Sequence, residues 1–280
     1  QCVKDILIGS DPLRIDDLWS KIYVGTAMTG RRGAGVNAIS AIDMALWDIK
    51  GKYENKPVFE LMGGKKQDEV IPYASLQPVG HSFQEYKDSL VEWATKAKDL
   101  GFRAVKSEVT LNGPYAHSGL NENDDKATEV VAAVRKALGP DIKLMIDVQY
   151  RWLNADEALP IVKDWEEFDI YFLETPIWTD DIKGYARMHD EAPMKIAAGE
   201  WLSTRYEFED LIINGKIDVA QPDVGRCGGL TEAMKIAKFS QEHKRIIVPH
   251  CWKTSVSISA TAHFAFNTPN CAFIEYLPPQ

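Results

Sequence analysis

"KLMIDVQ", residues 143–149, is an apolar run of strand length that ends on a carboxylate, Asp147, where a buried strand is expected to stay apolar. The pattern recurs in "IYFLETP" (170–176) with Glu174 and in "KIAAGEW" (195–201) with Glu200. Working outward, five further runs are apolar and of strand length: "VIPYASL" (70–76), "AVKSEV" (104–109), "DVAQPDV" (218–224), "RIIVPHC" (245–251) and "AFIEYLP" (272–278). Between them lie segments such as "DKATEVVAAVRKAL" (125–138) and "LTEAMKIAKFSQEH" (230–243), with apolar residues at helical spacing and charges on the other face. Short strands alternating with amphipathic helices predict parallel βα units, eight strands joined by seven helices.

Seven of the eight runs carry an ionisable residue near the carboxyl end: Lys106, Asp147, Glu174, Glu200, Asp223, His250 and Glu275. From Asp147 onward the spacings are 27, 26, 23, 27 and 25 residues, one βα unit each. In a closed parallel barrel those ends ring one mouth, the place where barrel enzymes build their sites. An open doubly wound sheet would not gather all seven, and no GxGxxG follows any strand, which removes a dinucleotide fold. The expected fold class is therefore α/β, a TIM-like (β/α)7β barrel over residues 64–280. Residues 1–63 differ, and "AISAIDMALWDIKGKY" (38–53) predicts a long amphipathic helix in a partial, mainly helical N-terminal capping region.

Composition sets outer bounds. A chain of 280 residues with 45% apolar content can bury a large core. No apolar run is long enough to span a bilayer, and "QCVKDILIGS" lacks the shape of a signal peptide, so a cytoplasmic protein without a membrane partner is expected. A net charge of −9 without a basic stripe argues against nucleic acid as partner. Cys2, Cys227, Cys251 and Cys271 show no CxxC spacing and read as reduced packing residues.

Three carboxylates on consecutive strands, Asp147, Glu174 and Glu200, would repel one another in a partly desolvated mouth. Mg²⁺, a hard cation that keeps positions open for substrate, would offset that charge; pairing of each acid with a neighbouring Lys or Arg is the alternative. His250 and Asp223 stand on adjacent strand ends, where a carboxylate on one ring nitrogen makes the other a general base. His81, His189, His243 and His263 have no such company, while His117 lies in a long polar loop (110–125) that reads either as a lid or as a solvated excursion. Lys106 and Glu108, two apart on one strand, share a face.

Together these segments resemble the enolase superfamily in its mandelate racemase-like branch, over essentially the whole chain. "AISAIDMALWDIKGK" (38–52) is similar to that family's amino-terminal signature, "QPDVGRCGG" (221–229) and "VPHCW" (248–252) to its Asp and His segments, and "FIEYLP" (273–278) to its last-strand glutamate. The resemblance implies Asp147, Glu174 and Glu200 as Mg²⁺ ligands, His250 as base or acid, Asp223 as its orienter, and Glu275 and Lys106 beside the substrate carboxylate. It also implies abstraction of the proton α to that carboxylate through an enediolate, the chemistry for which this superfamily serves as a standard case. Racemases carry Lys-x-Lys on the second strand; here the second position is Glu108, an ion-pair partner for Lys106, a binder of substrate hydroxyls, or a weaker acid and base in its own right, with the first two together favoured.

Loss of the second lysine favours chemistry on one face of the carbon. The expected function is an Mg²⁺-dependent lyase, an acid-sugar dehydratase giving a 2-keto-3-deoxy acid, with Gln149, Arg151, Trp178 and Trp252 meeting substrate hydroxyls. The alternative is a cycloisomerase, epimerase or racemase acting on a sugar lactone, anhydro-sugar acid or hydroxy acid through the same intermediate, and a non-catalytic binder of metal and sugar acid is the outsider. The resemblance further implies a homo-oligomer, and a strand meander and C-terminal tail of the cap that this sequence does not display.

Overall fold

The computed structural model describes residues 3–116, 119–252 and 254–278, so that Cys2 and His117 lie outside the described residues. Each apolar run contains a strand: β1 (Pro72–Leu76), β2 (Ala104–Glu108), β3 (Lys143–Asp147), β4 (Ile170–Glu174), β5 (Lys195–Ala198), β6 (Val219–Ala220), β7 (Ile246–Ile247) and β8 (Ile274–Tyr276). The shortest strands are β6 and β7, two residues each, and a proline, Pro222 or Pro249, stands two residues after each ends, where it could not donate to a ladder.

Helices α1 (Val3–Leu7), α2 (Ile15–Gly30), α3 (Ala34–Glu54) and α4 (Val58–Leu61) come first. The strand connections then hold α5 (Phe83–Asp99), α6 (Asp124–Leu138), α7 (Ala155–Asp164), α8 (Ile182–Glu191), α9 (Thr204–Ile213), α10 (Gly229–Glu242) and α11 (Ser255–Asn267), one helix in each gap as the sequence predicts. Their starts are written locally. Ser82 and Glu85 form a reciprocal capping box on α5, and Asn123, Asn154, Asp181 and Thr254 accept from first-turn amides of α6, α7, α8 and α11.

Two compact units share these elements. One comprises Ile71–Ala198, Leu211–Val219 and Glu275–Gln280. Within it the strands run in the order β5-β4-β3-β2-β1, every pairing parallel. The register sets Lys106 beside Met145, Glu108 beside Asp147, and Asp147 beside Glu174. Side chains such as Val105, Met145, Phe172 and Ile196 are fully buried, and so are Tyr86 and Leu90 of α5 and Val130 and Val134 of α6. Strands buried on both faces are what a βα architecture requires.

The other unit comprises Gln1–Val70, Gly199–Asp210 and Ala220–Ile274. Here α3 packs on α2 and on α10, burying Ile22, Val36, Ile39, Leu230 and Ile236. The Val248 amide donates to Ala220 O at 3.1 Å, and Ile247 forms a parallel bridge with Cys271. Cys227, Cys251 and Cys271 are buried. The alternation of eight parallel strands with seven helices is that of a TIM-like α/β fold. No helix among the described residues is long and apolar enough to cross a membrane.

Candidate functional site

In the strand-rich unit a buried cation sits among carboxylates. The Lys106 ammonium lies 2.8 Å from Glu174 Oε1, 3.1 Å from Glu275 Oε1 and 3.9 Å from Asp147 Oδ2. It also stands 5.5 Å above the ring of Tyr73, a fully buried residue that sequence reasoning did not single out. Burial lowers the pKa of Lys106, but Glu174, Glu275, Tyr73 and Asp147 outweigh it and hold the amine well above its ordinary range. Burial likewise raises the Glu174 carboxyl; Lys106 lowers it, and Asp147 and Glu275 raise it again. The pairing of acids with a neighbouring lysine, the alternative weighed from sequence for Asp147, Glu174 and Glu200, is met at Glu174 and more loosely at Asp147, and Lys106 takes Glu275 as well.

Lys106 turns to these acids rather than to Glu108. Glu108 instead accepts from Gln77 Nε2 at 3.2 Å and from Thr110 Oγ1 at 3.1 Å. Two steps along one strand were enough to put both on one face, yet the ammonium's preferred partner comes from 68 residues away.

Asp147 and Glu174 close their strands side by side. The Asp147 carboxylate is steered by the Thr175 hydroxyl at 3.0 Å and the Gln149 amide at 2.9 Å, both on its Oδ1. Gln149, Tyr150 and Thr175 have φ of +43°, +58° and +45°, a cluster of non-glycine residues in the left-handed region immediately after two strand ends. For a β-branched residue such as Thr175 this is unusual and strained, as is common where backbone is bent to place functional groups.

The remaining residues of this unit fall less close to expectation. Arg151 is almost fully buried and gives its Nε to Asp124 Oδ1 at 2.8 Å, which anchors the 110–125 loop. That contact corrects the view of Arg151 as a rim group open to substrate hydroxyls. Asn112 and Leu111 tie the same loop back to Glu122 at 3.0 and 3.2 Å. Trp178 is 44% exposed and meets Tyr150 edge-on at 5.4 Å.

The helical unit holds an imidazole between two acids. His250 Nδ1 is 2.8 Å from Asp223 Oδ2, and its Nε2 is 3.2 Å from Glu200 Oε2. All three are buried, at 6%, 1% and 5% exposure. The Gly225 amide donates to Asp223 Oδ1 at 2.7 Å, which leaves Oδ2 for the histidine. Asp223 on Nδ1 orients the ring and Glu200 faces Nε2, so the imidazole is held between two acids as a proton carrier. Trp252, two residues on, is 41% exposed.

The hard oxygens of Asp147, Glu174 and Glu200 have the donor chemistry of an Mg²⁺ site, and the charge of Asp147 and Glu174 is met at present by Lys106. Among the described residues no group of three or more His, Cys, Asp and Glu side chains is drawn together as a metal site.

Comparison with known proteins supplies the rest. Residues 1–63 match the mandelate racemase / muconate lactonizing enzyme N-terminal domain, and residues 89–280 match the enolase C-terminal domain-like family. D-galactarolactone cycloisomerase of Agrobacterium fabrum is 34% identical over 274 residues, which is 98% of this chain and 69% of that protein. The crystal structure of 3,6-anhydro-D-galactonate cycloisomerase from Zobellia galactanivorans superposes with a TM-score of 0.88 at 34% identity, covering 99% of this chain and 74% of the other. A provisionally assigned dehydratase from Zymomonas mobilis ZM4 gives a TM-score of 0.87 at 30% identity, covering 98% and 74%.

Proposed function

The chain belongs to the enolase superfamily, in its mandelate racemase-like branch, and from that premise we propose that it removes the proton α to the carboxylate of a sugar acid and expels the oxygen on the next carbon. The observation that carries this reading is the Asp223–His250 contact at 2.8 Å, which orients the imidazole so that Nε2, 3.2 Å from Glu200, is the atom that would take the proton. Its partner feature is Glu108 in place of a second strand-β2 lysine, so a single histidine takes the proton and then returns it. Lys106, buried and firmly cationic, neutralises the charge that grows on the substrate carboxylate as the proton leaves. Glu275 in its protonated form would donate to that carboxylate, and Glu108, held by Gln77 and Thr110, would accept from a substrate hydroxyl.

Mg²⁺ is proposed on Asp147, Glu174 and Glu200, where it would supply fixed positive charge for the enediolate. Trp178, Trp252 and Gln149 remain candidates for substrate contact.

The fate of the expelled oxygen separates two outcomes. If it belongs to a lactone or anhydro ring, it stays attached and the product is an isomer; the two cycloisomerases, each 34% identical over nearly the whole chain, favour this outcome. If it is a free hydroxyl, water departs and a 2-keto-3-deoxy acid forms, the outcome that the sequence alone favours. Incubation of the Mg²⁺-loaded protein in deuterated water with a panel of sugar acids and their lactones, read by mass spectrometry, decides between them. Isomerisation adds deuterium without loss of a water mass, and dehydration loses one. His250→Asn is expected to abolish α-proton exchange while sparing Mg²⁺ affinity. Wild-type protein that binds Mg²⁺ yet exchanges no α-proton in any member of the panel overturns the proposal.

A further inference from the structure

The Asp223–His250 pair is only as well placed as the turn that carries Asp223, and that turn is held from outside. Within residues 223–227 the Arg226 and Cys227 amides both return to Asp223 O at 2.8 Å. The next residue, Gly228, has φ +114° and gives up both of its backbone polar groups to the capping helices: its amide donates to Ser40 Oγ at 2.9 Å, and its carbonyl accepts from Trp19 Nε1 at 2.7 Å. Gly229 follows at φ +84°, and a side chain there would collide with the Asp43 carboxylate.

Helix α10 begins at this point with no side-chain cap of its own. Asp43 supplies one from α3, accepting the Thr231 amide at 3.0 Å, while Trp47 Nε1 donates to Thr231 Oγ1 at 2.9 Å. Ser40, Asp43, Trp19 and Trp47 are all buried. Four side chains of the amino-terminal helices thus converge on two residues, Gly228 and Thr231, that directly follow the turn.

We propose that Asp43, together with Ser40 and Trp19, is a positioning residue for the proton-transfer pair: through Gly228 and Thr231 it sets the turn that aims Asp223 Oδ2 at His250 Nδ1. Its catalytic meaning rests on the function proposed above; its geometry does not. Removal of one clamp bond lets the turn relax and lengthens the Asp223–His250 contact, which alters the hydrogen bond at Nδ1.

The test uses the full chain labelled with ¹⁵N-histidine, without substrate. His250 is assigned by its loss in His250→Asn, and its ring ¹⁵N shifts report which nitrogen carries the proton. Ser40→Ala, Asp43→Ala and the near-isosteric Trp19→Phe are each expected to move the His250 shifts toward those of an unrestrained imidazole, and Asp43→Asn, which keeps an acceptor for the Thr231 amide, to restore them. Leu46→Ala, a buried α3 change that removes none of the clamp hydrogen bonds, is expected to lower Tm without moving them. In a turnover assay the clamp variants should lose about ten- to a hundredfold in kcat with KM little altered. His250 shifts identical to wild type in folded Trp19→Phe and Ser40→Ala overturn the proposal, whether or not Tm falls. Shifts that respond while no sugar acid is turned over would sink the proposed function and leave the clamp standing; turnover with indifferent shifts does the reverse.

Discussion

Asp43 offers a quantitative test by pH. It is 1% exposed, accepts the Thr231 amide, and has no hydrogen-bond partner for Oδ1 among the described residues. Burial raises its pKa, the Thr231 contacts lower it in part, Asp16 raises it again, and the result is a move from 3.8 to about 7. Between those values the folded chain holds a proton that the unfolded chain has released, so stability falls as pH rises through this window and levels off above it. A shift of this size corresponds to a ceiling of about 4 kcal/mol, more than half of which falls between about pH 5 and about pH 8. Asp43→Asn is neutral throughout and removes this slope. Urea unfolding of wild type and variant at both pH values isolates the effect, since every other titrating group cancels in the difference. The variant should gain about 2–3 kcal/mol on wild type from the lower to the higher pH. A difference that stays constant across the range would mean that Asp43 titrates like an exposed carboxyl, and the burial reasoning would fail.

Other outcomes follow from contacts already described. Gly229→Ala should cost at least about 2 kcal/mol in urea, since its Cβ would lie 2.3 Å from Asp43 Oδ2 at a positive φ. Arg205→Ala should cost about 3–5 kcal/mol, because it strips the guanidinium from Glu232, which is fully buried and bound at 3.0 Å, and Arg205→Lys should recover only part of this loss. Lys106→Met should destabilise the metal-free protein by about 3–5 kcal/mol by leaving Glu174 and Glu275 without their cation. Added Mg²⁺ should then raise Tm more in this variant than in wild type, and an equal rise in both would argue against carboxylates that need a positive partner.

Most of the fold was legible because its signals are local. Apolar runs of strand length, helical spacing and a regular interval between strand-end acids placed each strand and helix with little error, and the Asp223–His250 contact followed from their standing on successive strands. What could not be read depends on choices made between distant segments. Lys106 had several carboxylates within possible reach, and only the packed register selects Glu174 and Glu275. Arg151 looked like a rim residue because nothing near it in sequence announces that Asp124 will take its side chain. The clamp on Gly228 joins residues about 190 positions apart, as in Ser40 with Gly228, and neither partner carries a recognisable motif for it. The strained turn at Thr175 was equally hidden, since a threonine gives no warning of a positive φ.

That strained trio, Gln149, Tyr150 and Thr175, carries a lesson for anyone who would redesign the protein. Glycine would sit in each of these backbone positions at ease, so the native side chains cost on the order of 1 kcal/mol apiece relative to that choice. A thermostabilising campaign guided by backbone comfort alone would begin here, and at Thr175 it would remove the hydroxyl that steadies Asp147. Sturdiness gained at that position would come with a looser carboxylate, and the two quantities measured across one set of variants would show how far this chain can be hardened before its strand ends lose their aim.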